Sequence, residues 1–71
     1  MEKDVAKSII ELSISIDTIL GQMFECIEKI SDEKIKFALY KSANDLMGYI
    51  ARDIIFPLIE IHPELNPESY I

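Results

Sequence analysis

Two long stretches of this chain carry apolar residues three and four positions apart, and only a few residues join them. In the first, Val5, Ile9, Leu12, Ile16, Ile19, Met23, Cys26 and Ile30 step by alternating fours and threes. That is the heptad seam of a helix built to lie lengthwise on another. Lys7, Glu11, Thr18, Gln22, Glu25 and Lys29 fall on the opposite side. No proline interrupts the run, and the spacing predicts a helix over about residues 3–30. The alternation Leu12-Ser13-Ile14-Ser15-Ile16 reads locally as a strand. Helical periodicity on both sides of it outweighs five residues. Ile10, Leu20, Phe24 and Ile27 widen the apolar surface well beyond one seam. A helix packed on a single neighbour needs a narrower stripe, so the width calls for two neighbours.

The second stretch opens with Ser31-Asp32-Glu33-Lys34 and continues through Leu39, Ala43, Leu46, Met47, Ile50, Ile54, Leu58 and Ile61. Ser31 is the expected N-cap, because its hydroxyl can accept from the unpaired amides of the first turn. Asp32 and Glu33 follow where negative charge suits the helix N-terminus. Ile30 and Ile35 would then clasp across the start as a hydrophobic staple. Pro57 removes one hydrogen bond and crowds the preceding turn. Because Leu58 and Ile61 continue the stripe, the expectation is a helix over about 32–61, kinked near Pro57. A linker this short leaves no room for a crossover, so the helices run antiparallel. From His62 the chain reads H-P-E-L-N-P-E-S-Y-I, where two prolines forbid a regular helix. Residues 62–71 form a Pro-rich tail whose Leu65, Tyr70 and Ile71 are apolar enough to fold back. The whole chain, 1–71, is thus a single all-α domain.

A chain of 71 residues buries only about 60% of its unfolded surface and is marginal alone. Small domains usually add disulfides, a metal or self-association. With one cysteine, Cys26, an internal disulfide is excluded. The expected solution is a homodimer in which two hairpins close an antiparallel four-helix bundle. Its seam is Ile9, Leu12, Ile16, Ile19 and Met23 on the first helix with Leu46, Ile50 and Ile54 on the second.

The formal net charge of -6 repels phosphate backbones and anionic lipid surfaces, which argues against nucleic-acid and membrane binding. The start M-E-K-D-V-A-K lacks the basic end and apolar run of a signal peptide. A cytoplasmic protein is expected.

Few groups invite chemistry. Glu60, His62 and Glu64 are two residues apart and form the one candidate metal-ligand set; the competing reading of His62 is a helix C-cap. Cys26 lies among apolar residues with no histidine nearby in sequence and reads as a small core hydrophobe rather than a nucleophile. Lys41 and Asp45, one turn apart, make an exposed ion pair. Arg52 and Asp53, being adjacent on a helix, are expected not to face each other. Tyr40 and Tyr49 flank the second helix, as core edge or as contact surface. There is no phosphate loop, zinc-binding cysteine pair or Ser/His/Asp set.

The expected function is therefore a non-catalytic interaction module, a regulator or assembly subunit without a cofactor. Its acidic exterior suits a partner carrying a basic patch. The alternative is a small-ligand- or metal-binding helical bundle.

Overall fold

The computed structural model describes residues 1–66, and every regular element among them is helical. Helix α1 spans Lys3–Ile27 and α2 spans Glu33–Tyr49. A π-helical segment, Ile50–Ile55, leads without a break into α3, Phe56–Ile61. A 3-10 turn, Pro63–Leu65, follows. The elements after the link run back along α1, so the chain is an antiparallel helical hairpin.

The alternating run Leu12–Ile16 is helical. Its serine hydroxyls turn inward to the helix, Ser13 Oγ donating to the Ile9 carbonyl at 2.8 Å and Ser15 Oγ to Glu11 at 3.1 Å. Such back-bonds satisfy residues that otherwise compete with the helical backbone.

Helix α1 ends three residues before the expected limit. Lys29 and Ile30 donate to the carbonyls of Cys26 and Ile27, three residues back, which tightens the last turn and satisfies carbonyls that α-helical bonding leaves open. The N-cap of α2 is Asp32 rather than Ser31. One oxygen of its carboxylate accepts from the Lys34 amide at 2.9 Å and the Ile35 amide at 3.3 Å. Shifting the cap by one residue also moves Ile30 and Ile35 out of staple positions, and Ile35 is exposed. A Lys36–Glu28 ion pair at 3.5 Å ties the link together instead. Replacing Asp32 by alanine should cost about 1 kcal/mol in chemical denaturation, whereas Ser31→Ala should leave the midpoint unchanged.

The π-helical segment is how the chain passes Pro57. A proline cannot donate, and its ring presses on the carbonyl four residues back, here that of Asp53. The preceding bonds widen, with the Phe56 amide reaching the Ala51 carbonyl, five residues back. The segment adds one residue to the turn, so positions seven apart on one side become eight apart across it. Ala43 and Ile50 are buried seven apart, whereas Ile50 and Leu58 are buried eight apart. Ile55 therefore takes the core position that unbroken periodicity assigns to Ile54: Ile55 is 0% exposed and Ile54 40%.

The core is a single seam. Ala6, Ile10 and Leu20 of α1 meet Ile50, Ile55, Leu58 and Ile59, with Ile9, Ile14, Phe24, Met47, Phe56 and Leu65 packed around them. Toward the link, Ile27 and Ala43 are also buried, and Phe24 stacks obliquely on Tyr40 at 5.1 Å. On α1 the buried positions Ala6, Ser13, Leu20 and Ile27 recur every seven residues. This seam lies one residue round from the expected one. Leu12, Ile16, Ile19 and Met23 face solvent, as do Leu46 and Ile54. Of the eight residues expected on the seam, Ile50 is buried and Ile9 is partly packed against the core.

The segment beyond Pro57 is held to the hairpin as far as Asn66. Leu58 and Ile59 are buried, and Leu65 packs against the core. Tyr70 and Ile71, also expected to dock, lie outside the described residues.

Candidate functional site

The displacement of the core by one residue leaves a second seam uncovered. On α1, Val5, Leu12, Ile16, Ile19 and Met23 are exposed, Leu12 by 66% and Ile19 by 59%. On the returning arm, Leu39, Leu46, Ile54 and Ile61 are exposed as well. Their spacing is seven, eight and seven, the eight falling across the π-helical segment. The extra residue that buries Ile55 thus keeps Ile54 and Ile61 in line with Leu39 and Leu46. None of these nine side chains is charged.

The two rows lie on the same side of the hairpin. Met23 from one and Leu39 and Leu46 from the other wall a groove of about 230 Å³ at the linked end, floored by Ile27 and Ala43. Ser42 is the one polar residue lining it. Small-molecule sites typically begin near 300 Å³ and include several convergent polar groups, so the groove is the size of a side-chain socket rather than a metabolite site.

Cys26 borders this open side and is exposed, contrary to the expectation of a core position. The reason is the same shift: Ile27, one residue on, occupies the core. The single histidine lies at the other end of the hairpin, away from the thiol.

His62 closes the open end. Its Nε2 lies 3.0 Å from the Met1 carbonyl and its Nδ1 3.5 Å from Glu64, and Lys3 pairs with Glu64 at 3.5 Å. His62 also forms the C-cap of α3, its amide donating to the Leu58 carbonyl at 2.9 Å. Glu60 does not join them: among the described residues no three His, Cys, Asp or Glu side chains are grouped to hold a metal ion. The intervening chain leaves the helix at His62 and enters a 3-10 turn, which breaks the two-residue alignment. The cluster is a clasp between the first residues and the end of α3.

Its electrostatics have a testable sign. Glu64 sits below the usual carboxylate range, chiefly because its own backbone amide donates to it, with Lys3 and His62 adding and partial burial opposing. A carboxylate depressed on folding stabilises the fold above its unfolded pKa and loses that contribution as pH falls through the folded one. Glu64→Gln should therefore flatten the fall in melting temperature between neutral pH and pH 3 relative to the parent. Identical slopes would remove the clasp from the stability balance.

Arg52 and Asp53 do pair, against expectation. Arg52 Nε and Nη2 lie 2.9 and 3.0 Å from the two carboxylate oxygens, and the guanidinium stacks 4.9 Å above the Tyr49 ring. Adjacent residues of an α-helix point apart, but a π-helical turn rotates less per residue, and the long arginine folds back onto its neighbour. The hydrogen bond to Arg52 holds Asp53 below the usual carboxylate range, and Asp53 raises Arg52 in turn. Both are solvent-exposed. Arg52 and Tyr49 border an open polar groove of about 450 Å³ with Asn44, Asp45 and Gly48, which contains no nucleophile–base pair. Lys41 and Asp45 form the expected exposed ion pair at 3.2 Å.

No protein-family model, curated protein or solved structure matches this chain. Among the described residues, no helix is long and apolar enough to cross a membrane. The uncovered apolar face is thus the feature on which a function can be built.

Proposed function

We propose that this chain is a non-catalytic interaction or assembly module that acts as a homodimer, two hairpins burying their open faces against each other as a four-helix bundle. One observation carries the reading: both arms present an uncharged apolar row on one side. Nine large side chains, each about half exposed, leave roughly 900 Å² uncovered if a large apolar residue offers about 200 Å² when fully exposed. The largest apolar patch on a typical monomer is about 300–600 Å². One partner in a standard interface contributes about 800 Å².

The geometry of α1 supports the same reading. Its buried seam and its open seam are offset by one residue, which separates them by about 100° around the axis. A helix at the corner of a four-helix bundle needs two apolar seams at roughly that angle, one for each neighbour. The hairpin supplies one neighbour and a second hairpin the other. The charged residues then cover the outside, where an acidic exterior suits a partner with a basic patch.

Sedimentation equilibrium at micromolar concentration tests this. The expected mass is twice that of the chain, and a stably folded monomer would overturn the proposal.

A further inference from the structure

We infer that the second copy docks head to tail, so that Val5 and Ile61 of each chain seat at the Met23–Leu39 groove of the other. This rests on the reading of the open face as the contact between two copies, and adds its orientation and the pairs that meet.

Eight of the nine exposed side chains are placed symmetrically about one level of the hairpin; the ninth, Ile19, has the half-buried Ile9 as its counterpart. On the returning arm, Leu39 and Ile61 each stand eleven residues from Ile50, and Leu46 and Ile54 each stand four. On α1, Val5 and Met23 each stand nine residues from Ile14, and Leu12 and Ile16 each stand two. Ile14 and Ile50 lie across from each other. Phe24 stacks on Tyr40, and ten residues back on one arm and ten forward on the other lead to this pair, both in the same core cluster. A two-fold axis lying in the interface at that level, perpendicular to the helices, lays each row antiparallel on its own copy. Leu39 then meets Ile61, Leu46 meets Ile54, and Val5 meets Met23. A one-turn slip in either direction leaves apolar residues unmatched at both ends.

Shape favours the same orientation. The face is hollow at the linked end, where the small Ala43 floors the groove. At the open end the face carries the exposed apolar side chains of Val5 and Ile61. Reversing one copy sets these side chains against the groove. The other two-fold choice, with the axis along the helices, places groove against groove and leaves both unfilled, and unfilled apolar space is destabilising.

Disulfide trapping decides it. In a Cys26→Ala background, Leu39→Cys combined with Ile61→Cys should give a covalent dimer under mild oxidation. Either cysteine alone should not. A bridge within one chain is excluded, because about thirty Å of helix separates the two positions and a disulfide needs Cα atoms within about 7 Å. Val5→Cys with Met23→Cys provides an independent pair should the first disturb the helical circular dichroism. Absence of covalent dimer from both pairs, in protein that sediments as a dimer, would overturn the head-to-tail arrangement while leaving the dimer standing. Sedimentation of the Cys26→Ala background as a folded monomer would overturn both.

Discussion

Ile19→Glu is expected to dissociate the proposed dimer, raising its dissociation constant by at least about a thousandfold, or roughly 4 kcal/mol. Ile19 is 59% exposed in the hairpin, so a single chain tolerates the substitution. In a two-fold assembly each change occurs twice, and both carboxylates enter an apolar contact with no partner. Phe37→Glu is the control. Phe37 is more exposed still, at 72%, but stands two residues before Leu39 and hence about 200° around α2, on the far side from the open row. It should leave the mass at that of a dimer. Sedimentation velocity of the two variants across a hundredfold concentration range separates the outcomes. Equal behaviour would remove the open face from any role in association. Because the isolated hairpin has only a single-seam core, Ile19→Glu should also lower the melting temperature.

The second large effect concerns neighbouring isoleucines. Ile55→Ala should destabilise the chain by about 2–5 kcal/mol, the usual cost of truncating a buried aliphatic side chain where the surroundings cannot collapse. Ile55 is 0% exposed and lies within the core cluster. For so small a domain, a loss of that size removes much or all of the folding free energy. Ile54→Ala should behave differently. Its side chain lies on the open face, so its cost should grow with protein concentration, as expected for an interface residue, and remain small under conditions that keep the chain monomeric. Denaturant melts of both variants at two concentrations make the comparison. If Ile54→Ala proved the more damaging under dissociating conditions, the π-helical segment would not describe the solution structure.

That comparison also marks the boundary between pattern and packing. Three-and-four spacing established two helices, and the shortness of the link established that they run antiparallel. Continuation past Pro57 was legible because Leu58 and Ile61 extend the apolar row. The apolar surface of α1 is broader than one arm covers, and Leu12, Ile16, Ile19 and Met23 stay exposed in the hairpin. Cap and pairing details were less legible: Asp32 and Ser31 can each cap, and local sequence does not rank them. Glu60, His62 and Glu64 are close in sequence, yet the turn after α3 sends Glu60 away and leaves His62 and Glu64 with Met1 and Lys3, a long-range contact that spacing does not encode.

The assignment of faces was decided by tertiary structure. Two heptad rows on α1, Leu12-Ile19 and Ser13-Leu20, have the same period, so periodicity cannot say which meets the chain's own second arm. The bulkier row is expected on the seam of a four-helix bundle, whichever neighbour it meets. Within the hairpin the seam uses Ala6, Ser13 and Ala43, small residues that let the helices approach closely, while the bulky row stays outside. The π-helical segment is of the same kind. A single added residue after Ile50 rotates everything downstream, burying Ile55 and exposing Ile54. Composition and spacing determine how much apolar area the chain carries; only the packed hairpin determines which part of it stays uncovered.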